Sequence, residues 1–476
     1  MAVSELWRLT LREAADGLAS KTFSSEELLE STLGRLSATE PAVHAYVTLM
    51  EGSARRQAAA ADDDFRRGRW RGPLQGIPVG VKDLCYTEGV PTQAGSRVLE
   101  GFVPGHDATV VRRLKEGGAV IVGKTVTHEF AYGQDVPPTR NPWNTDCYPG
   151  GSSAGSGVSV AVGSAFAAIG TDTGGSIRIP GSVNGVVGLK PTYGRVSKFG
   201  VFPMSPTLDT VGPLARTAED CALMLGAIAG FDPLDGGSID EPVQDYAAAV
   251  RSGVKGLRLG VDRDFFFYKH LSDDVRKAAE ATVERLVELG AEVVPVRLPE
   301  LDAVAAVGMT ILLADTSEWH HRLLRSHADK YVPATRLMLE LGEIVLAAPY
   351  VHAQRARAAL RERVRNSFSM HRLDCLIGPT IPQTTMPVEK LSVDLTGEGE
   401  TALSMFLHHC FMGNVFGIPA LSFPCGFSSS GLPIGFQVYG RPFQESALFR
   451  IAHAYQQVTD WHSRRPEPRR QEVPIQ

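Results

Sequence analysis

Short apolar segments alternate with amphipathic ones along the chain, and this alternation predicts strands and helices in turn. The second half is the clearer example. Residues 257–261 are mostly apolar, Ser272 begins a segment with apolar residues at helical spacing, and Gly290 ends it. The predicted strands are residues 77–81, 119–122, 257–261, 292–296, 373–377 and 420–424, and the predicted helices include residues 107–116 and most of 301–370. Strands that alternate with helices predict an α/β fold with helices on both faces of a sheet.

The first 65 residues follow a helical pattern instead. Ser24 and Glu27 have the spacing of a capping box, and leucines follow at helical spacing. The chain has no clear linker and no internal repeat, so we predict a single domain over residues 1–476.

One stretch of the chain is rich in glycine, serine and alanine, and no side chain from Cys147 to Thr171 carries a charge. Its apolar part, residues 157–170, is shorter than the roughly 20 residues of a transmembrane helix, so we predict a buried core helix there. A flexible linker would lack its valines and isoleucine. A phosphate-binding P-loop would need Gly-Lys followed by Ser or Thr, and this stretch has none.

Two serines in this region, Ser152 and Ser176, each follow a Gly-Gly pair. Such a serine can be a nucleophile, because nearby N–H groups without an obstructing Cβ can stabilise an oxyanion. Ser153 is an alternative, since it is central in a G-x-S-x-G pattern like the nucleophile elbow of α/β-hydrolase esterases. That elbow follows a strand, whereas residues 141–149 contain two prolines and no β-branched run.

Composition and charge exclude several classes of function. The chain is 43% hydrophobic and 21% charged, which is typical of globular proteins, and its net charge of -5 does not favour nucleic acid binding. Residues 1–10 lack the apolar core of a signal peptide, so we predict a cytoplasmic protein without a membrane anchor. The six cysteines are scattered without metal-ligand spacing, which predicts free thiols and no metal site. A cysteine nucleophile stays open as an alternative.

A serine nucleophile needs a base, and no histidine lies near Ser176. The nearest upstream histidines, His106 and His128, do not lie in a glycine-rich or turn context. A buried lysine can act instead, because desolvation lowers its pKa. Lys82 follows the apolar residues 77–81, yet most lysines lie at surfaces, and position alone does not single this one out.

Several long motifs occur in order along the chain. They are GIPVGVKD at 76–83, GGSSAGS at 150–156, GTDTGGSIRIP at 170–180, GVVGLKPTYGR at 185–195, NVFGIPALSFP at 414–424 and GLPIGFQVYGRPF at 431–443. Through these motifs the chain resembles the amidase signature family, most densely from residue 74 through 212. The resemblance implies a mixed central β-sheet sandwiched between helices. It also implies one amidase domain, with a helical part at 1–65, the signature core at 70–230, a part that completes the sheet at 250–460 and a tail at 461–476.

The resemblance further implies catalytic roles for three side chains. In that family the motif lysine is the base, a serine held by a cis peptide bond relays the proton, and a second serine is the nucleophile. By motif these residues are Lys82, Ser152 and Ser176. The implied oxyanion hole consists of the backbone N–H groups of Thr173, Gly174, Gly175 and Ser176.

Other residues are expected to support this site. Ser153 lies beside the relay serine, and we expect Asp172 and Arg178 to brace the loop through hydrogen bonds. Residues 128–133 resemble the family loop that lines the acyl side, which implies substrate contacts for Ala131, Tyr132 and Gly133. Residues 265–268 would form either packed core or an apolar mouth.

Family members hydrolyse aliphatic, aryl and fatty amides and some carbamates. The resemblance therefore implies a small-molecule amide or carbamate substrate, no metal or organic cofactor, and a monomer or homodimer. Two other functions stay open. The glutaminase chain of the glutamyl-tRNA(Gln) or aspartyl-tRNA(Asn) amidotransferase, which works within a complex, usually has Gln at the position of Ile179 and a Gly-Tyr-Tyr-rich motif unlike residues 347–350. A non-catalytic interaction protein of the same fold would not need Lys82, Ser152 and Ser176 together.

Overall fold

The chain is built around one mixed β-sheet. The structure is a computed structural model, and it describes residues 2–132, 136–298, 300–392 and 401–468. The strands are β1 Tyr46–Leu49, β2 Pro78–Lys82, β3 Val120–Thr125, β4 Ala167–Asp172, β5 Val187–Lys190, β6 Thr210–Ala215, β7 Arg258–Val261, β8 Glu292–Pro295, β9 Cys375–Pro379, β10 Ala420–Phe427 and β11 Pro433–Gly440. Within the described residues these 11 strands form one sheet in the order β1-β3-β2-β4-β6-β5-β10-β11-β9-β7-β8.

Helices cover this sheet, which confirms the predicted α/β fold with a mixed central sheet. They are α1 Leu11–Ala19, α2 Ser25–Val43, α3 Glu51–Arg66, α4 Thr109–Glu116, α5 Ala154–Val162, α6 Arg178–Asn184, α7 Ala218–Ile228, α8 Tyr246–Ala249, α9 Arg263–Phe266, α10 Asp273–Glu288, α11 Ala303–His327, α12 Pro333–Glu343, α13 Ala347–Met370, α14 Ala402–Val415 and α15 Glu445–Gln456. The largest apolar cluster contains side chains from both the strands and the helices. No helix of the described ranges is long and apolar enough to cross a membrane.

The six predicted strands all occur, with ends that differ by a few residues. Ser24 caps α2 through the predicted capping box with Glu27. The predictions omitted β1, β4, β5, β6 and β11. β1 lies within the predicted helical part, where Tyr46, Thr48 and Leu49 pair with β3. Its exposure alternates along the strand, a pattern too short to stand out in the sequence.

The predicted core helix over residues 157–170 is wrong in its second half. The helix α5 ends at Val162, where Gly163 adopts a left-handed φ of 82°. The chain then enters β4, which lies between β2 and β6 and is buried along its whole length. A strand buried on both faces lacks the alternation of polar and apolar residues, so its sequence resembles that of a buried helix.

The sheet brings two distant segments of the chain together at the carboxyl ends of two neighbouring inner strands. The strands β2 and β4 run in parallel, with Val81 opposite Ile169, so their carboxyl ends lie side by side. β2 ends at Lys82, and β4 ends at Asp172, with one residue between it and the second Gly-Gly-Ser sequence. Ligands of α/β sheets commonly bind at the carboxyl ends of strands.

Candidate active site

Lys82 is fully buried at the end of β2, and its amine lies among hydroxyl groups. Its Nζ donates hydrogen bonds to Ser152 Oγ at 2.8 Å, Ser153 Oγ at 2.9 Å and Thr171 Oγ1 at 2.8 Å. Because these partners carry no charge, they do little to offset the cost of burying an ammonium group. Burial lowers the pKa of Lys82 to about 7. The amine can therefore both accept and return a proton near neutral pH.

The serine segment before α5 connects Lys82 with the second glycine-rich loop. The peptide bond between Gly151 and Ser152 is cis. The Ser153 N–H donates to the Ser176 carbonyl oxygen at 3.2 Å, and the Ser153 hydroxyl donates to the Thr171 carbonyl oxygen at 3.1 Å. Ser153 thus links the partners of Lys82 to the backbone of Ser176, which fits the supporting role expected for it.

A buried ion pair holds the loop after β4. Arg178 donates from Nε and from an Nη atom to the two oxygens of Asp172, each at 3.0 Å, and both side chains are fully buried. The same carboxylate accepts hydrogen bonds from the Gly175 and Ile177 N–H groups and from Asn414 Nδ2. Burial alone would raise the pKa of Asp172, but Arg178 lowers it to about 2. The loop is therefore braced around a permanent negative charge.

Ser176 is half-buried and borders a cavity at the end of this loop. Among the described residues its hydroxyl has no hydrogen-bond partner. Of the four N–H groups expected in an oxyanion hole, that of Gly175 already donates to Asp172 at 2.8 Å. The N–H groups of Thr173, Gly174 and Ser176 are the remaining members of that set.

The cavity beside Ser176 has a volume of about 80 Å³. Its polar lining residues are Ser152, Thr173, Ser176 and two tyrosines, and its apolar side chains include Ile179, Met204, Met309, Leu312, Met338, Phe406, Leu407 and Phe411. No charged side chain of the described residues lines it. Such a surface suits the uncharged, apolar portion of a ligand.

The structure places most of the predicted site residues together. Ala131 and Tyr132 line the cavity, while Gly133 lies outside the described residues. Phe265 and Phe266, from the segment expected to form core or a mouth, are buried and pack against His409.

Sequence reasoning missed several residues that complete the site. Thr171 is a third partner of Lys82, and Asn414 holds Asp172 from the far half of the chain. Asn414 begins one of the six family motifs, which was an available signal. No comparable sequence signal marked the apolar cavity residues on α11, α12 and α14, since Met, Leu and Phe on a helix are typical of any core.

The alternative nucleophiles fit the geometry poorly. Residues 141–149 contain no strand, so Ser153 does not sit on the strand-to-helix turn of a nucleophile elbow. All six cysteines are buried and free, and burial raises the pKa of Cys85 and of Cys410 to about 12. Such thiols remain protonated near neutral pH and are weak nucleophiles. Within the described ranges no group of three or more His, Cys, Asp or Glu side chains could hold a metal ion.

The chain is similar to known proteins over nearly its whole length. The sequence pattern of the amidase family matches residues 27–449. An amidase of Pseudomonas putida is 44% identical over 467 residues, which cover 98% of this chain and 99% of that protein. A glutamyl-tRNA(Gln) amidotransferase subunit from Roseiflexus sp. (strain RS-1) is 40% identical over 492 residues, with 97% of this chain and 99% of that protein covered. Among solved structures, the native peptide amidase of Stenotrophomonas maltophilia superposes with a TM-score of 0.84 at 32% identity, covering 97% of this chain and 98% of that one.

Proposed function

This chain belongs to the amidase signature family, and on that footing we propose that it hydrolyses uncharged carboxylic amides through a serine acyl-enzyme. The proposed substrates include aryl amides and carbamates. We further propose that the chain works without a partner protein, a metal or an organic cofactor.

The observation that carries this proposal is the environment of Lys82. A fully buried amine with three hydroxyl partners and a pKa lowered by burial to about 7 has no evident structural purpose. The buried Lys124 lies beside the Asp83 carboxylate and the buried Lys190 donates to a backbone carbonyl oxygen, whereas Lys82 contacts serine hydroxyl groups beside a cavity. Perturbed groups in a cleft are candidates for catalysis, and Ser152 links this one to the cavity.

The proposed reaction begins when Ser176 Oγ attacks the amide carbonyl carbon. Its proton passes through Ser152 Oγ to Lys82 Nζ, and the N–H groups of Thr173, Gly174 and Ser176 stabilise the oxyanion. The C–N bond then breaks, and the leaving nitrogen takes the proton back through Ser152. Water hydrolyses the resulting ester with the same base, which releases the acid and restores Ser176.

A glutaminase within an amidotransferase complex is the second candidate, because the identity to the Roseiflexus protein is 40% over nearly the whole chain. Glutamine carries an ammonium and a carboxylate group, and each needs a charged or strongly polar partner when bound. The described lining of the cavity beside Ser176 has no charged side chain. Ile179, at a position where glutamine is usual in such glutaminases, borders the same cavity and adds to its apolar surface. These features favour an amidase for uncharged substrates.

The test is to assay the purified chain alone against acetamide, acetanilide, a phenyl carbamate and glutamine, and to trap the acyl-enzyme for mass spectrometry. We expect turnover of uncharged amides and an adduct on Ser176. Ser176→Ala should lose both. Ser182→Ala is the matched control, because this buried serine lies on α6, outside the described lining of the cavity.

Two outcomes would contradict the proposal. An adduct on Ser153 or on a cysteine would refute the assignment of the nucleophile. Activity restricted to glutamine, and seen only after partner proteins are added, would support the amidotransferase function instead.

A further inference from the structure

The cavity beside Ser176 is small for a whole substrate. Its volume of about 80 Å³ is well below the roughly 150 Å³ of a protein cavity that holds benzene. Only a short acyl group, such as acetyl, fits there beside the catalytic side chains. The remainder of any larger amide must extend into other space.

A second cavity of about 640 Å³ adjoins the first. Ala131, Thr173 and Met204 line both cavities, so the two meet at the loop that carries Ser176. The helix α11 also borders both, through Leu312 in the first and Trp319 in the second. These residues are two helical turns apart, about 10 Å along the helix. The second cavity lies in the size range of about 300–1,000 Å³ that is typical of small-molecule sites.

The proton relay lies between the two cavities. Ser152 lines the first cavity and Thr171 lines the second, and each accepts a hydrogen bond from Lys82 Nζ at 2.8 Å. In the proposed reaction the leaving nitrogen receives its proton from Ser152. A nitrogen at the junction of the cavities can take that proton while its substituent extends past Thr171 into the second cavity.

The lining of the second cavity is rich in aromatic side chains that are only partly covered. They are Tyr86, His106, Tyr193, Phe199 and Trp319, while Phe202 also lines the cavity but is itself buried. The His106 ring lies 5.6 Å from that of Tyr86 and 5.4 Å from that of Phe199, and Trp319 is 47% exposed. Partly exposed aromatic faces gain free energy when an apolar or aromatic ligand covers them.

The charged groups of this cavity already have partners. Lys198 lies 4.0 Å from the ring centre of Tyr193 and donates to the Pro206 carbonyl oxygen at 2.7 Å. Asp235 accepts hydrogen bonds from two backbone N–H groups, and Asp209 accepts one from Thr173. The cavity therefore suits an uncharged aromatic group better than an ionic one.

We propose that the second cavity is the amine-side binding site, and that Phe199 and Trp319 select aromatic leaving groups. This inference rests on the proposed function. When Ser176 Oγ forms its bond to the acyl carbon, the C–N bond breaks and the nitrogen gains the relayed proton. The neutral aromatic amine then leaves through this cavity, while the acyl group stays in the smaller one until water releases it.

The test compares acetanilide with acetamide, which share an acyl group and differ only on nitrogen. Trp319→Ala and Phe199→Ala should each lower kcat/KM for acetanilide by roughly 2- to 10-fold, the value of one aromatic contact. For acetamide kcat/KM should stay within about 2-fold of the unmodified protein, since ammonia does not reach these side chains. Trp70→Ala is the matched control, because Trp70 is 50% exposed and lies outside the cavity lining. Inhibition by aniline should weaken in Trp319→Ala and not in Trp70→Ala.

Each contrary result has a distinct meaning. If the unmodified protein hydrolyses both amides but Trp319→Ala and Phe199→Ala lower both rates equally, the amine-side assignment is overturned. If the losses follow the acyl group, so that benzamide is affected and acetanilide is not, the second cavity is an acyl site instead. If the unmodified protein hydrolyses neither amide, the proposed function fails, and this inference fails with it.

Discussion

Lys82 and Lys124 are both buried, but their amines contact different chemical groups. Both side chains are fully buried, and they come from β2 and β3, which lie side by side in parallel with Lys82 opposite Thr125. Lys82 has three hydroxyl partners. The Lys124 amine lies 3.2 Å from the Asp83 carboxylate and also donates to Thr92 Oγ1 and to a carbonyl oxygen.

The difference shows what makes a buried lysine reactive. Asp83 directly follows Lys82 in the chain, yet it pairs with Lys124, because successive residues of an extended segment point in opposite directions. Burial lowers the pKa of both lysines, but at Lys124 the carboxylate opposes that effect. Lys124 therefore has a carboxylate neighbour that favours its charged form, whereas the hydrogen-bond partners of Lys82 are uncharged hydroxyl groups and its pKa of about 7 lets it lose a proton near neutral pH.

Removing each amine should separate catalysis from stability. Lys82→Ala should lower kcat/KM by about 10²- to 10⁴-fold, the usual contribution of a general base. Its free energy of unfolding should fall by about 1–3 kcal/mol, because buried hydroxyl groups lose a partner but no buried charge is left unpaired. Lys82→Arg should not restore the rate, because a guanidinium group stays protonated. Steady-state kinetics with urea unfolding measures both quantities. Robust activity in Lys82→Ala would place the base elsewhere.

For the ion pair of Lys124 and Asp83 the opposite result is expected, with a large loss of stability and a small change in rate. Lys124→Met leaves Asp83 buried without its cation, which should lower the free energy of unfolding by about 3–5 kcal/mol. The rate per folded molecule should change much less than in Lys82→Ala. If both variants lost activity and stability in the same proportion, the distinction between the two lysines would be wrong.

The pH dependence of the rate should identify which lysine acts as the base. Burial lowers the pKa of Lys82 to about 7, and only the neutral amine accepts a proton, so kcat/KM should fall about tenfold per unit below that pH. The optimum should therefore be neutral to alkaline. Burial also lowers the pKa of Lys190 to about 7, but its Nζ donates to the Pro191 carbonyl oxygen, away from the serines. The rate–pH curve of Lys190→Met should still fall below about pH 7, which is the acid limb of the curve. If this fall disappeared in Lys190→Met, Lys190 would be the base.

The smallest effect is expected when one hydroxyl partner of Lys82 is removed. Thr171→Val removes one hydrogen bond to the Lys82 amine, and such a bond favours the charged form. The acid limb should therefore move to lower pH, by up to about one unit. Thr92→Val is the matched control, because Thr92 is a partner of Lys124 instead. A limb that moved equally in both variants would show a general change in the sheet.

The sequence predicted those parts of the site that lie in continuous motifs. Lys82, Ser152 and Ser176 follow from three motifs, and the structure gathers them because β2 and β4 are parallel neighbours. That adjacency was not predictable, since the uncharged pattern of β4 indicates a helix. The partner of Asp83 was not predictable either, because Lys124 reaches it only through the pairing of β2 with β3.

The apolar wall of the cavity beside Ser176 could not be predicted for a different reason. Met309, Met338 and Phe411 come from three helices whose patterns are those of ordinary core packing. Whether such a side chain faces the core or a cavity depends on the small space left between packed helices. No local pattern records that space.

The strand order has a consequence for how the chain is synthesised. The strands β1 to β6 are neighbours in the sheet and are synthesised first. The open edge of β5 pairs with β10, which is synthesised much later. Roughly 230 residues separate β5 from β10, which at about 5–20 residues per second leaves that edge unpaired for about 10–50 seconds. Unpaired apolar strand edges are templates for aggregation. The nascent first half, which carries the proposed catalytic residues, is therefore the stage at which the edge of β5 is open to such pairing.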